Sequence, residues 1–103
     1  MLETPDQVGD ADNPVCGDRV HLELRVDEKG KVVEAAFQAD GCVICLAASS
    51  ILTEHIHGLG LDELEELTDQ DMMQLIGVEL GRARTQCALV AWQALTNALQ
   101  DQG

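Results

Sequence analysis

The chain has 103 residues, with 19 acidic side chains against 6 basic ones and a formal net charge of −13. That charge repels phosphate backbones and anionic lipid surfaces, so nucleic acid and membranes are excluded as expected partners. The length suits one domain with a modest core, and with aromatics at 2% (Phe37 and Trp92) the core has to be built from Leu, Val, Ile and Ala.

Met1 to Asn13 holds four acids, no bases and little apolar material beyond Leu2 and Val8, and is expected to be a flexible acidic arm preceding a domain over residues 14–100. From Asp18 onward Val20, Leu22, Leu24 and Val26 share one parity, while Arg19, His21, Glu23 and Arg25 share the other. This alternation predicts a half-buried strand. Asp27-Glu28-Lys29-Gly30 follows as a polar turn, and Val33, Ala35, Phe37 and Ala39 alternate on a second strand, so the two should pair as an antiparallel hairpin.

After Gly41-Cys42 the period changes to three and four, through Cys45, Ala48, Leu52 and His55 or Ile56, which predicts a helix ending at Gly58 to Gly60. Leu61 to Leu67 and Asp71 to Ile76 read as two short helices, the second opened by Thr68 or Asp69 as a cap. The last helix is expected from about Arg84 to Leu99, with Ala88, Ala91, Trp92, Leu95, Ala98 and Leu99 on one stripe and Cys87 in its first turn. The pattern reads as α+β, a hairpin followed by helices.

Three cysteines occupy informative contexts: Asn13-Pro14-Val15-Cys16-Gly17-Asp18, Gly41-Cys42, and Arg84-Thr85-Gln86-Cys87. Their spacing is too long for a single zinc knuckle, so a shared site has to be assembled by the fold. Three thiolates plus a carboxylate form a suitable four-ligand set for zinc or an iron–sulfur cluster. Cys16 and Asp18 share the parity of the first strand's apolar face, which puts both at the end of the core face. Cys42 and Cys87 are expected at helix starts, where unpaired backbone N–H groups favour thiolates. Arg19, Arg82 and Arg84, half of the basic residues, flank these cysteines. No basic segment followed by an apolar one opens the chain, and the longest apolar run, Cys42 to Ala48, is far too short to cross a bilayer. A cytoplasmic protein with reduced thiols is expected, in preference to a secreted disulfide framework.

Taken together and in this order, Cys16-Gly17-Asp18 opening a strand, Asp27-Glu28-Lys29-Gly30 in a hairpin turn, Gly41-Cys42 leading into a helix with Ala47 to Ser50, and Cys87 in the last helix resemble the U-type iron–sulfur cluster assembly scaffold family, over about Asn13 to Leu99. The family includes the N-terminal domain of the nitrogen-fixation scaffold. The resemblance implies a small antiparallel β-sheet of about three strands packed on one side by helices. The resemblance implies that Cys16, Cys42 and Cys87 accept sulfur from a cysteine desulfurase and hold iron as a nascent [2Fe-2S] cluster, or Zn²⁺ as the alternative occupant, with Asp18 as nearby ligand or modulator. It also implies transfer of the cluster to recipient apoproteins. A carboxylate in place of a fourth thiolate should ease release.

The chain departs from the housekeeping scaffolds of that family in four places. Gln86 stands where they carry a histidine. Leu80-Gly81-Arg82-Ala83-Arg84 replaces the segment that they offer to an Hsp70-type chaperone, which leaves that partner without its motif. The family's usual N-terminal helix is expected to be missing or replaced by the acidic arm, and with it the contacts that helix makes to the desulfurase. Cys45 replaces a small residue, so that Cys42-Val43-Ile44-Cys45 is a CxxC pair on one helix face. Arg84 resembles a feature of the zinc-dependent sulfurtransferase branch, without that branch's insertion between the second and third cysteines.

These departures keep three functions open: a cluster scaffold, a zinc-dependent sulfurtransferase in which Cys87, assisted by Arg84, attacks the desulfurase persulfide, and a structural zinc protein. Cys45 reads as a buried core residue, a fourth ligand, or a resolving thiol. His55 and His57 fall on different helix faces and His21 on the polar strand face, so none of the three is expected to ligate metal. Ser49 and Ser50 are expected to pack or cap locally.

Overall fold

The structure is a computed structural model that describes residues 5–13, 17–77 and 81–100, the side chains of 82–84 excepted. Its elements in chain order are β1 (Gln7–Asn13), β2 (Asp18–Val26), β3 (Val32–Asp40), α1 (Val43–Ile56), α2 (Leu61–Glu65), α3 (Asp69–Ile76) and α4 (Arg82–Gln100). The three strands form one antiparallel sheet in the order β1-β2-β3. The class is α+β, with helices covering one sheet face.

Alternation along β2 does what hydrophobic patterning predicts: Asp18, Val20, Leu22 and Leu24 are buried, while Arg19 is exposed and His21, Glu23 and Arg25 are half-buried. The β2–β3 turn is held by Asp27, whose Oδ1 accepts the Lys29 and Lys31 N–H groups at 2.9 Å each, and by Gly30, whose φ of 79° suits its missing Cβ. Along β3 the expected parity holds only in part. The register shifts between Arg25 and Val26, Val26 pairs with Val32, and Val32 is buried while Val33 is left 39% exposed. A bulge of this kind reverses which neighbour faces the core. The Gly58–Leu61 segment closes on this end, with Gly58 N–H donating to Val32 O, Val32 N–H to Leu59 O, and Leu61 N–H to Gly30 O, at 2.8, 2.8 and 2.9 Å.

β1 corrects the expectation of a flexible arm through residue 13. Gln7 to Asn13 pairs along its whole length with β2, from Gln7 opposite Leu24 to Asn13 opposite Asp18. Asp6 extends the attachment: its N–H donates to Leu24 O at 2.8 Å and its Oδ2 accepts the Val26 N–H at 2.9 Å. Composition hid this strand because its helix-facing parity is Gln7, Gly9, Ala11 and Asn13. Those residues are small or polar because α4 lies against them. A Cβ on Gly9 would run into Ala94 O and Ala98 N and stand 2.8 Å from Ala98 Cα, so glycine is what permits the approach. Asn97 adds a side-chain bond, Nδ2–H to Asp10 O, at 2.7 Å.

The core is aliphatic, as composition required: Val20, Leu22 and Leu24 of β2 meet Ala48, Leu52 and Ile56 of α1 and Ala88, Val90, Ala91, Ala94 and Leu95 of α4. Leu64 of α2 and Met72 of α3 close it. Thr68 caps α3, with Thr68 Oγ1 accepting from Asp71 N–H at 3.2 Å and Asp71 Oδ2 accepting from Thr68 N–H at 3.0 Å. Trp92 donates its indole N–H to Leu67 O at 3.0 Å, tying α4 to the α2–α3 link. Among the described residues no helix is long and apolar enough to cross a membrane.

Candidate metal centre

Strand parity buries Asp18 at the start of β2, although a carboxylate is costly to bury: it is 1% exposed. One oxygen is satisfied, Oδ1 accepting the Cys42 N–H at 3.1 Å. The other, Oδ2, is buried with no hydrogen-bond partner among the described residues. Gly41 makes the arrangement possible, since a Cβ there would collide with Asp18 Oδ1 and lie 2.9 Å from its Cγ. The Gly41-Cys42 pair stood out in the sequence as a motif. That its glycine clears space for a carboxylate 23 positions earlier is tertiary information, with no local signal to reveal it.

Cys42 is the N-cap residue of α1, extended at φ −78° and ψ 168°, and its side chain makes no capping bond. It is exposed, beside the unpaired N–H groups of the helix start. Cys87 reaches the same place from α4 and is 6% exposed. Its position differs from the expected one. α4 begins at Arg82, after Gly81, whose carbonyl accepts the Thr85 N–H at 2.9 Å, so Cys87 lies beyond the first turn. The helix-start argument therefore serves Cys42 and not Cys87.

One ligand atom from each of Asp18, Cys42 and Cys87 lies within 4.8 Å of the other two. Donors around a single tetrahedral ion with 2.0–2.3 Å bonds stand about 3.3–3.8 Å apart, so small side-chain rotations would close this group on a cation. Two thiols and an unsatisfied carboxylate oxygen fit a borderline-soft metal such as zinc or iron. Cys16, the remaining sequence-predicted ligand, and the Arg84 side chain lie outside the described residues.

Cys45 is fully buried in the core and stands outside this group. Burial, reinforced by the charges of Asp18 and Cys42, pushes its thiol up to about 11, so it is protonated at neutral pH. The Ser49 hydroxyl beside it donates to Cys45 O at 2.9 Å. Around Cys42 the first turn of α1 leaves Val43 and Leu46 exposed, at 76% and 43%.

The histidines lie elsewhere. His57 Nε2 meets Val33 O at 3.1 Å. His21 is held on the outer sheet face between Asp10 Oδ1 and Glu23 Oε2, each at 2.7 Å, and these bonds, Glu23 first, raise its pKa. His55 lines an open groove of about 610 Å³ with Leu59, Glu63, Glu66, Leu67 and Asp71, which includes none of the grouped residues.

The model of the NifU-like N-terminal domain family matches residues 1–102. The iron-sulfur cluster assembly enzyme IscU of Drosophila melanogaster is 36% identical over 88 residues, 85% of this chain and 56% of that protein. The nitrogen fixation protein NifU of Nostoc is 36% identical over 92 residues, 88% of this chain and 30% of that protein. The chain thus spans about half of the first relative and under a third of the second. The iron-sulfur cluster assembly scaffold protein IscU of Escherichia coli is 31% identical over 111 residues, covering 96% and 85% of the two chains. Among solved structures, a candidate scaffold protein for the SUF system from Fervidobacterium islandicum superposes with a TM-score of 0.77 at 25% identity, over 95% of this chain and 83% of that one. With its sheet order, its helices and nearly its whole length matched, this chain belongs to the NifU-like N-terminal domain family.

Proposed function

We propose that this protein is an iron–sulfur cluster assembly scaffold, on which iron and sulfide are joined at Cys42, Cys87 and Asp18 together with Cys16, as a [2Fe-2S] cluster that then passes to recipient apoproteins. The observation that carries this reading is the Asp18 carboxylate, buried with one oxygen unpartnered among the described residues and two cysteine thiols gathered beside it. A buried acceptor left unsatisfied in this way costs on the order of 1–3 kcal/mol unless something completes it. A cation bound with the thiolates does so. The support for a scaffold over a permanent metalloprotein is the openness of the group on the Cys42 side and the names of the relatives. An exposed ligand and a hard carboxylate among soft thiolates favour release of the cargo.

Sulfur is supplied, in this reading, by a cysteine desulfurase that docks beside Cys42. The exposed Val43 and Leu46 give such a partner an apolar foothold next to the acceptor thiol.

Anaerobic reconstitution of the reduced protein with ferrous iron and inorganic sulfide tests the proposal. The expected result is visible sulfide-to-iron charge-transfer absorption with about two irons bound per site. Asp18→Asn keeps the shape and the bond to the Cys42 N–H but removes the charge. It should raise the thermal midpoint of the metal-free protein while lowering cluster yield at least about tenfold. Failure of the wild type to develop the absorption, with its thiols titrating as free, would overturn the reading. Zinc that survives purification and blocks iron loading would favour the sulfurtransferase instead.

A further inference from the structure

Cluster sulfur has to arrive as sulfide, yet sulfur handed over by a desulfurase arrives as a sulfane atom on a cysteine persulfide, two electrons more oxidised. Two further electrons must come from somewhere. The scaffold reading uses the thiols that converge with Asp18 and leaves one thiol without a task, the fully buried Cys45.

Cys45 stands in a particular relation to Cys42. The pair spans the first turn of α1, with Cys42 as the N-cap and Cys45 three residues on, and the Leu46 N–H closing that turn on Cys42 O at 3.2 Å. Helical side chains so spaced share a face with Cβ atoms about 5–6 Å apart, and a disulfide, which needs roughly 3.5–4.5 Å, asks for a local adjustment at the extended N-cap residue, outside the helix proper. Cys42 is exposed and Cys45 wholly enclosed. Cys45 lies close enough to Asp18 and Cys42 for the charges of both to act on its thiol. An exposed cysteine at a helix start backed by a buried one at the i+3 position is a dithiol arranged for attack from within. External thiols and oxidants reach the first and not the second.

We propose that Cys45 is the resolving thiol for sulfur carried on Cys42, and that this scaffold makes sulfide from persulfide with its own electron pair. Cys45 Sγ attacks Cys42 Sγ of the persulfide anion, and the bond from Cys42 Sγ to the terminal sulfur breaks. A Cys42–Cys45 disulfide forms, and the terminal sulfur leaves as hydrosulfide, carrying the proton given up by Cys45. The two thiol sulfurs are oxidised and the sulfane sulfur is reduced, so the step needs no external oxidant or reductant. A second turnover needs an external dithiol to reopen the disulfide. Enclosure in the core shields the Cys45 thiol from external oxidants. The inference rests on the scaffold reading, and it assigns Cys45 as a reacting group in place of a ligand.

The test uses the full chain, reduced, metal-free and desalted, then treated with a stoichiometric amount of glutathione hydropersulfide without added reductant. Wild-type protein should release about one sulfide per chain and lose two hydrogens in mass, with the disulfide mapped by peptide analysis to Cys42 and Cys45. Cys45→Ala and Cys45→Ser should instead retain the mass of an added sulfur on Cys42 and release sulfide at least about tenfold more slowly. Both variants should still build a cluster from ferrous iron and inorganic sulfide, because that route needs no resolving thiol. This also shows that they fold. Wild-type sulfide release by both Cys45 variants, or a disulfide mapped to Cys42 and Cys87, would overturn the proposal. Failure of wild-type reconstitution with inorganic sulfide would overturn the scaffold reading instead.

Discussion

Two glycines show how differently the middle of the sheet and its end are built. Gly9, in mid-strand, gives up its side chain so that two backbones can touch, β1 against the Ala94–Ala98 turn of α4. Gly41, at the end of β3, gives up its side chain so that a carboxylate can enter. Around Gly9 the neighbours are close-packed alanines and a paired strand. Around Gly41 one carboxylate oxygen has no partner among the described residues and a cysteine faces solvent. The same missing methyl thus serves stability in one place and chemistry in the other, where an unsatisfied group is kept for something to bind.

Adding that methyl back separates the two regions. Gly9→Ala should have the larger effect, since Ala94 O and Ala98 N belong to a helix backbone that cannot swing aside. A loss of about 3 kcal/mol is expected, by overpacking. It should be read as a drop in the urea midpoint with unchanged slope. Retention of the wild-type midpoint would mean that α4 slides freely on β1. Gly41→Ala should cost less stability, on the order of 1–2 kcal/mol, because the Asp18 side chain can rotate away and the strain at φ 155° is local. Its effect should fall on the site: with the Cys42 N–H bond lost and the carboxylate displaced, affinity for Zn²⁺, measured by competition with a chromophoric chelator, should fall at least about tenfold.

The contrast also explains what was legible in the sequence. β2, α1 and α4 were readable because each buries a stripe of aliphatic residues at the period of its own geometry. β1 was not, because its inner face is Gln7, Gly9, Ala11 and Asn13, a surface shaped by a close backbone contact and not by hydrophobicity. Val32 and Val33 exchanged roles because of a bulge that turn composition does not announce. At the site, parity placed Asp18 on the buried side of β2, and the period change after Gly41 placed Cys42 at a helix start. The position of Cys87 was read less well, since nothing between Gly81 and Arg84 breaks the helix and it simply starts earlier. The unpartnered Asp18 oxygen and the clearance over Gly41 join residues far apart in the chain, and only the folded structure displays them.

The outer sheet face supplies the smallest effect and the counter-example to Asp18. There the carboxylates of Asp10 and Glu23 are both satisfied, by the two ring nitrogens of His21 at 2.7 Å each. Both nitrogens can donate only when the ring is protonated, so the two bonds hold the imidazolium, and the folded pKa is raised above the ordinary value near 6.5. The other charges on this face are Arg19 and Arg25 of β2, Asp12 of β1, and Glu34 and Asp40 of β3, with Arg25 paired to Glu34 at 2.9 Å. A raised folded pKa means that the folded state binds the proton more tightly than the unfolded one. The clamp's contribution is therefore complete below about pH 6.5 and disappears as pH rises through the folded value. For a solvent-facing group it amounts to less than about 1 kcal/mol. His21→Gln should accordingly lower the urea midpoint at about pH 5.5 and leave it nearly unchanged at about pH 8.5, since Gln cannot bridge two carboxylates as a cation. A midpoint difference that stays flat between those pH values would show that the strand pair is held by its backbone ladder alone.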